Sequence, residues 1–354
     1  MSNWRRLPRV PTINRSAARS LALLAVLVTT SSASAEIFKK EDLLRGITIP
    51  RAQCEATEQT LWLNVRGRDF CVRYYLSTAG GEGTRPVVLL QGDQLGKFNP
   101  RTWTWTDTSE AKDVDTANII GEDDALSKFT KTTAIYLARI GVDGTSGNHL
   151  ARKSVLEFDL MNAALDALKQ RYGFEGFHLA GQSGGSLLVG GLAELRHDIG
   201  CAVIGSGRLI PPELPKSKDP AKSPFDPIEN ISQLVKNSAL RVLVVTDKAD
   251  KRVPAAQQIG FVDRLHRAGR QVPQFFVETT DDLRHGVTSY TELAVAGCIL
   301  NRPDEEIAKA LATLNRRNAE YNQRRQKETK DKAAIQTAAR QPVEGLATAA
   351  AAKK

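Results

Sequence analysis

Between about residues 60 and 315 the chain alternates two kinds of pattern. Short continuous apolar runs occupy residues 86–91, 132–138, 176–180, 200–205, 240–246 and 274–278. Runs of this length, without polar alternation, predict strands buried on both faces. Between them lie stretches with apolar residues at helical spacing, such as Val155, Phe158, Met161, Leu165 and Leu168. Helices are predicted over 154–172, from Ser183 to about His197, over 254–268, and as one long region from about Val287. Ahead of them, residues 60–65 and 70–76 form a hairpin pattern joined at Arg66-Gly67-Arg68-Asp69. Strands alternating with helices predict an α/β fold: a mostly parallel twisted sheet with helices on both faces. In such sheets reactive groups gather just beyond the carboxyl ends of the strands.

One junction concentrates chemistry. The strand at 176–180 runs into Gly181-Gln182-Ser183-Gly184-Gly185 and then directly into an apolar helix. This is a G-x-S-x-G pattern in a strand–turn–helix context. A serine lifted clear of a sheet needs a strained backbone and neighbours without a clashing Cβ, and Gly181 and Gly185 meet that need. The helix that follows aims free N–H groups and a positive dipole end at any oxyanion formed there.

A serine hydroxyl needs a base, and the base needs a group that orients it. After the strand at 240–246 a loop carries two acids, Asp247 and Asp250, before Pro254 opens a helix. Asp250 is the first candidate and Asp247, nearer the strand, the reserve. His285, in Asp281-Asp282-Leu283-Arg284-His285-Gly286, follows the last strand by one loop and is the candidate base. His149 is its rival, His178 reads as a satisfied core residue, and His197 and His266 as helix surface residues. Two backbone donors are needed for an oxyanion. The N–H of Gly184 is one; the other is expected from Asp93, with Gln94 in reserve, after Leu89-Leu90-Gln91-Gly92. Residues 97–123 read as a long loop whose Trp103 and Trp105 are candidates for a binding wall, as are Gln94 and Gln182. The Gly-rich turn at 137–147 reads as a second wall; its spacing is not that of a phosphate-binding loop.

Composition refines this picture at the ends. The chain has 354 residues and a formal charge of +9. Residues 1–35 hold five arginines and no acid, then an apolar run and Ser-Ala-Ser-Ala, which predicts a signal peptide cleaved after Ala35. The run is too short to span a membrane. From Arg316 the sequence is basic and rich in Ala and Gln, with ten basic and four acidic residues, and predicts a solvated helix fraying into a tail over 316–354. The remainder holds 34 basic and 36 acidic residues, so the body has no nucleic-acid footprint. The tail could make weak contact with anionic envelope components. Cys54, Cys71, Cys201 and Cys298 suit an oxidising compartment, periplasmic or secreted. The preferred pairs are Cys54 with Cys71 and Cys201 with Cys298. None lies at metal-ligand spacing, and neither metal nor cofactor is expected.

With these elements in the order Ser183, Asp250, His285, residues 60–315 resemble the α/β-hydrolase superfamily. Asp226-Pro227-Ile228, the turn Asp250-Lys251-Arg252-Val253-Pro254 and the helix it opens look like the prolyl-oligopeptidase and dienelactone-hydrolase branch. The resemblance implies one hydrolase domain over 36–315 with a minimal cap. It further implies acyl transfer to Ser183, with His285 as base then acid and Asp250 fixing the imidazole. Where that superfamily often has His-Gly at the oxyanion strand, this chain has Gln91-Gly92. Hydrolysis of a small-molecule or peptide ester or amide is the leading expectation. Acyl transfer to an alcohol and a non-catalytic binding protein on the same fold are the alternatives.

Overall fold

The computed structural model describes residues 36–94, 98–99, 104–105, 112–210, 223–227 and 231–340. The expected signal peptide, Trp103, the segment 211–222 and the last fourteen residues lie outside these.

In chain order the elements are β1 (Ile37–Phe38), α1 (Asp42–Arg45), α2 (Arg51–Ala56), β2 (Thr60–Val65), β3 (Arg68–Ser77), β4 (Val87–Leu90), β5 (Phe98–Asn99), β6 (Thr104–Trp105), β7 (Val114–Asp115), α3 (Thr116–Thr130) and β8 (Ala134–Leu137). A 3₁₀ turn (His149–Ala151) precedes α4 (Val155–Tyr172). There follow β9 (Phe177–Gln182), α5 (Gly184–Leu195), β10 (Ile199–Gly205), α6 (Ile231–Lys236), β11 (Arg241–Asp247), α7 (Ala256–Arg267), β12 (Gln274–Val277), α8 (Thr288–Ile299) and α9 (Asp304–Arg340).

Eight strands form one sheet in the order β12-β11-β10-β9-β4-β8-β3-β2. All neighbours pair in parallel except at β3, which is antiparallel to both β2 and β8. This is the strand order of the α/β-hydrolase fold, as the sequence led us to expect. The apolar runs become central strands because both of their faces are covered. Val88 and Leu90 of β4 point into one hydrophobic cluster with α4, α5 and α7, while Val87 and Leu89 point into another with α3, α8 and α9. The same period of two splits Ala202 and Ile204 from Cys201 and Val203 in β10.

The order reverses at β4. The chain leaves it to one side for β8, then returns to pair β9 on the other. The carboxyl ends of β4 and β9 therefore flank a topological switch point, where sheets of this kind leave a crevice.

Local chemistry sets the element ends. The Ser154 hydroxyl caps α4 by accepting from the Glu157 N–H at 3.3 Å, and Gly173 closes it at φ 69°. The part of 97–123 from Thr116 onward is helix, not loop, and α3 extends it to Thr130. Its inward face is mostly polar, with Thr116, Asp123, Ser127 and Thr130 buried beside Ile119 and Leu126, so no apolar stripe announces it. The single long helix expected from Val287 is two. Asn301 adopts a left-handed φ of 52°, and Pro303 then leads into α9. α9 runs unbroken past Arg316, the expected start of the tail, and Asn318 and Asn322 still reach Tyr290 and Thr280.

Both expected disulfides form. Cys201–Cys298 ties β10 to α8, and Cys54–Cys71 ties α2 to β3, so this second bridge anchors a helix to the hairpin instead of closing the hairpin itself. They close sequence separations of 97 and 17 residues. Loop-closure entropy predicts that replacing Cys201 and Cys298 by alanine lowers the unfolding free energy by about 4–5 kcal/mol, against about 3 kcal/mol for the other pair. Denaturant titration of the two double variants checks the ranking.

Candidate active site

Ser183 occupies the turn between β9 and α5 with φ 56° and ψ −117°. Such a conformation is costly for a residue with a Cβ and persists only when the surroundings impose it. The surroundings here are backbone. A Cβ on Gly185 would lie 1.9 Å from the Leu90 carbonyl oxygen, and one on Gly181 would lie 2.7 Å from the Gly185 backbone. The Ser183 N–H donates to the Gly205 carbonyl of β10 at 2.8 Å. The serine is thus gripped by strands on either side. Gly184 begins α5, so its N–H belongs to the first turn, whose donors have no partner within the helix.

His285 lies in the loop after β12. Its Nδ1 is 2.7 Å from Asp250 Oδ2, and both side chains are buried. The other carboxylate oxygen of Asp250 accepts the N–H groups of Arg252 and Val253, each at 2.8 Å. One oxygen thus fixes the turn and the other fixes the imidazole. Nε2 of His285 is buried and makes no hydrogen bond within the described residues, so no bond links it to Ser183 Oγ. Such contacts commonly tighten only around a substrate.

Asp247, the alternative acid, has other work. It accepts from Arg284 Nε at 2.9 Å and Nη2 at 3.2 Å, and from the N–H and hydroxyl of Thr279. Burial opposes its charge, but Arg284 and the Ala249 and Thr279 donors hold the carboxyl below its ordinary range. Asp281 accepts the N–H groups of His285 and Gly286, each at 3.0 Å. Two acids therefore pin the loop that a third uses to orient the histidine.

The remaining candidates divide. Gln182 is turned to the protein: its Nε2 donates to the His285 carbonyl at 2.9 Å, and its Oε1 abuts the Cα of Gly92. It ties the Ser183 turn to the loop carrying His285, a role its sequence position beside Ser183 did not reveal. The Gln94 N–H donates to His149 Nε2 at 3.2 Å, which leaves the Asp93 N–H as the candidate second donor. The side chain of Trp105 and all of Trp103 lie outside the described residues.

His149 is not an exposed rival. It is fully buried, with Nδ1 2.9 Å from the Ile140 carbonyl and Nε2 accepting from Gln94. Burial, reinforced by Arg139 and Arg152, drives its pKa down to about 3. Nor is His178 satisfied. Its Nδ1 is buried without a hydrogen bond among the described residues, and burial beside Arg85 lowers its pKa to about 4.

The Gly-rich turn at 137–147 folds inward instead of walling the site. Arg139, Asp143, Thr145 and Ser146 are all buried. Arg139 reaches both Asp93 and Glu157, a contact between residues 46 and 18 positions apart that no local pattern signals. An arginine closing an apolar strand, Tyr136-Leu137-Ala138-Arg139, is the one hint in the sequence.

No family model matches the chain, and no curated protein matches it in sequence. Solved structures similar to it include an esterase of Pyrococcus furiosus, at 10% identity and a TM-score of 0.49 over 72% of this chain and 96% of that one. Another is Est1E from Butyrivibrio proteoclasticus with ferulic acid bound, at 14% identity and a TM-score of 0.44 over 68% and 98%. A third is an α/β serine hydrolase homologue from Coxiella burnetii, at 13% and 0.44 over 68% and 96%.

The two depressed histidines carry a pH signature. Each is neutral when folded and takes up a proton on unfolding below its ordinary value of 6.5. The stability they support is therefore present above pH 6.5 and is lost as pH falls from there towards 4 and 3. His149→Gln should flatten that acid limb, measured as unfolding free energy against pH. A limb of unchanged slope would show that His149 does not titrate this way.

Proposed function

We propose that the chain is a serine hydrolase acting on an ester or amide, with Ser183 as nucleophile, His285 as general base then acid, and Asp250 as the group that orients His285. The observation that carries the reading is the backbone of Ser183. A non-glycine residue is held at φ 56°, ψ −117° between the central strand and its helix, at the sheet's switch point. Strain of this kind is retained where it serves a site. The His285–Asp250 pair, tied to the same turn through Gln182, supplies the base that such a serine requires.

In this mechanism the Ser183 oxygen attacks the substrate carbonyl carbon while its proton passes to His285 Nε2. The imidazolium that forms is stabilised by Asp250 across the 2.7 Å contact at Nδ1. The N–H groups of Gly184 and Asp93 receive the developing oxyanion. His285 then returns the proton to the leaving group as the tetrahedral intermediate collapses to an acyl-serine. Water, deprotonated by the same histidine, releases the acid and restores the serine. An alcohol in place of water would make the protein an acyltransferase, and product analysis with added alcohol separates the two.

The two disulfides support an oxidising location, and the basic, apolar-cored leader supports export to reach it. Among the described residues no helix is long and apolar enough to cross a membrane. Weak attraction of the basic tail to anionic envelope polymers belongs to the same proposal.

A fluorophosphonate should add once to residues 36–354 and not to the Ser183→Ala variant, as read by intact mass. Asp250→Asn should slow labelling by about 10⁴-fold, whereas Asp247→Asn should act only through the loop it anchors, with a much smaller loss. An unlabelled but folded wild type would favour the binding-protein alternative. Equal losses for the two aspartate variants would refute the assignment of the acid.

A further inference from the structure

The buried charges beneath the β4 loop raise a question that the three catalytic groups leave open: what fixes the two oxyanion donors relative to each other. Asp93, Arg139, Arg152, Lys153 and Glu157 form one cluster. Arg139 is its centre and is 1% exposed. Its Nε and Nη2 grip both oxygens of Glu157 at 2.9 Å, while Nη1 donates to the Gln91 carbonyl at 3.1 Å and to Asp93 Oδ1 at 2.9 Å. The other Asp93 oxygen meets Lys153 and lies 3.4 Å from Arg152 Nε. Glu157 also caps the start of α4 by accepting the Lys153 N–H at 2.6 Å.

This cluster touches the nucleophile turn directly. A Cβ on Gly184, the residue after Ser183, would fall 1.9 Å from Asp93 Oδ1 and 2.7 Å from Arg139 Nη1. A G-x-S-x-G turn requires small residues only two positions either side of the serine. Here the position directly after it must also be bare, because the Asp93 carboxylate and Arg139 fill the space. The same side chain that follows the β4 loop is thereby pressed against the backbone of α5's first residue.

We propose that Arg139 is a positioning residue of the oxyanion hole: through the Asp93 carboxylate it sets the spacing between the N–H groups of Asp93 and Gly184. The inference rests on the hydrolase reading above. His149 completes the arrangement by holding the next N–H, that of Gln94, from the same turn that carries Arg139. The cluster also has a sign. Three cations face two carboxylates, while His149 stays neutral, so one net positive charge lies behind the two donors, with Arg139 and Arg152 buried and Lys153 partly exposed. Burial raises the cost of ionising Asp93, yet Lys153, Arg139 and Arg152 hold its carboxyl well below the ordinary range, so the grip is ionic throughout the working pH. Packing alone does not account for such a network, since apolar residues of equal volume commonly stabilise a core as well or better. The Gln91 backbone carbonyl also anchors the loop to Arg139.

The test is the kinetics of fluorophosphonate labelling at Ser183, split into the maximal rate kinact and the binding term KI. Arg139→Lys keeps the charge but cannot fork between Glu157 and Asp93. It should lower kinact about 100-fold, as expected for a displaced oxyanion donor, with KI within about threefold. Lys153→Gln changes a 28% exposed side chain at the edge of the cluster, and should lower kinact in the same sense by less. Thermal unfolding of both variants gives the folded fraction by which the rates are normalised. A wild type that labels beside two variants that label equally fast, or a change confined to KI, would overturn the proposal alone. If Arg139→Lys does not fold, Lys153→Gln decides by the same criterion. Absence of a Ser183 adduct on the folded wild type would remove the hydrolase reading and the proposal with it.

Discussion

The structure depends on how tightly backbone is packed at the turn carrying Ser183. A strained residue of this kind costs on the order of 1–3 kcal/mol, and nothing within its own few residues repays it. Repayment comes from the Leu90 carbonyl against Gly185, the Gly205 carbonyl on the Ser183 N–H, and the buried face of α5. The elbow exists because β4, β9 and β10 are neighbours in one sheet. A change that separates β4 from β9 would release the strain and flatten the turn.

From that constraint the rest of the site follows by topology. Loops leaving the carboxyl ends of parallel strands converge, and the reversal of order at β4 opens space between its end and that of β9. Asp93 follows β4, Ser183 follows β9, Asp250 follows β11 and His285 follows β12. Precision is then supplied one loop at a time by carboxylates. Asp247 holds Arg284, Asp281 holds the backbone at His285, and Asp250 spends one oxygen on its own turn before offering the other to the imidazole. The histidine is thereby placed by acids that never meet the reacting atoms.

Buried charge is treated oppositely on the two sides of the sheet. Beneath the β4 loop the acids are met by arginine and lysine and stay ionised. Between α3 and α8, burial drives Asp123 well above its ordinary range and lifts Glu292 to about 7, helped by the nearby Glu122. Asp143 is raised likewise by burial, although the Tyr136 hydroxyl donates to it.

The sequence by itself determined the strands, because a continuous apolar run of five or six residues has no stable place except between two covered faces. It determined the elbow and singled out His285, since each is a local pattern or a residue type with few uses, but four cysteines allow three pairings and only the approach of Cys201 to Cys298 and of Cys54 to Cys71 chose among them. It left Asp247 and Asp250 undecided, since both sit in one loop and only the approach of His285, 35 residues away, separates them. It read the first half of α3, residues 116–123, as loop because most of the helix's buried residues are polar, and it read Gln182 as facing substrate because nothing local revealed its partner, the His285 carbonyl. The Arg139 cluster was out of reach beyond the single hint of an arginine closing an apolar strand. Its members come from β4's loop, the turn after β8 and the start of α4, and a buried charge acquires meaning only when folding brings its counter-charges within a few ångströms.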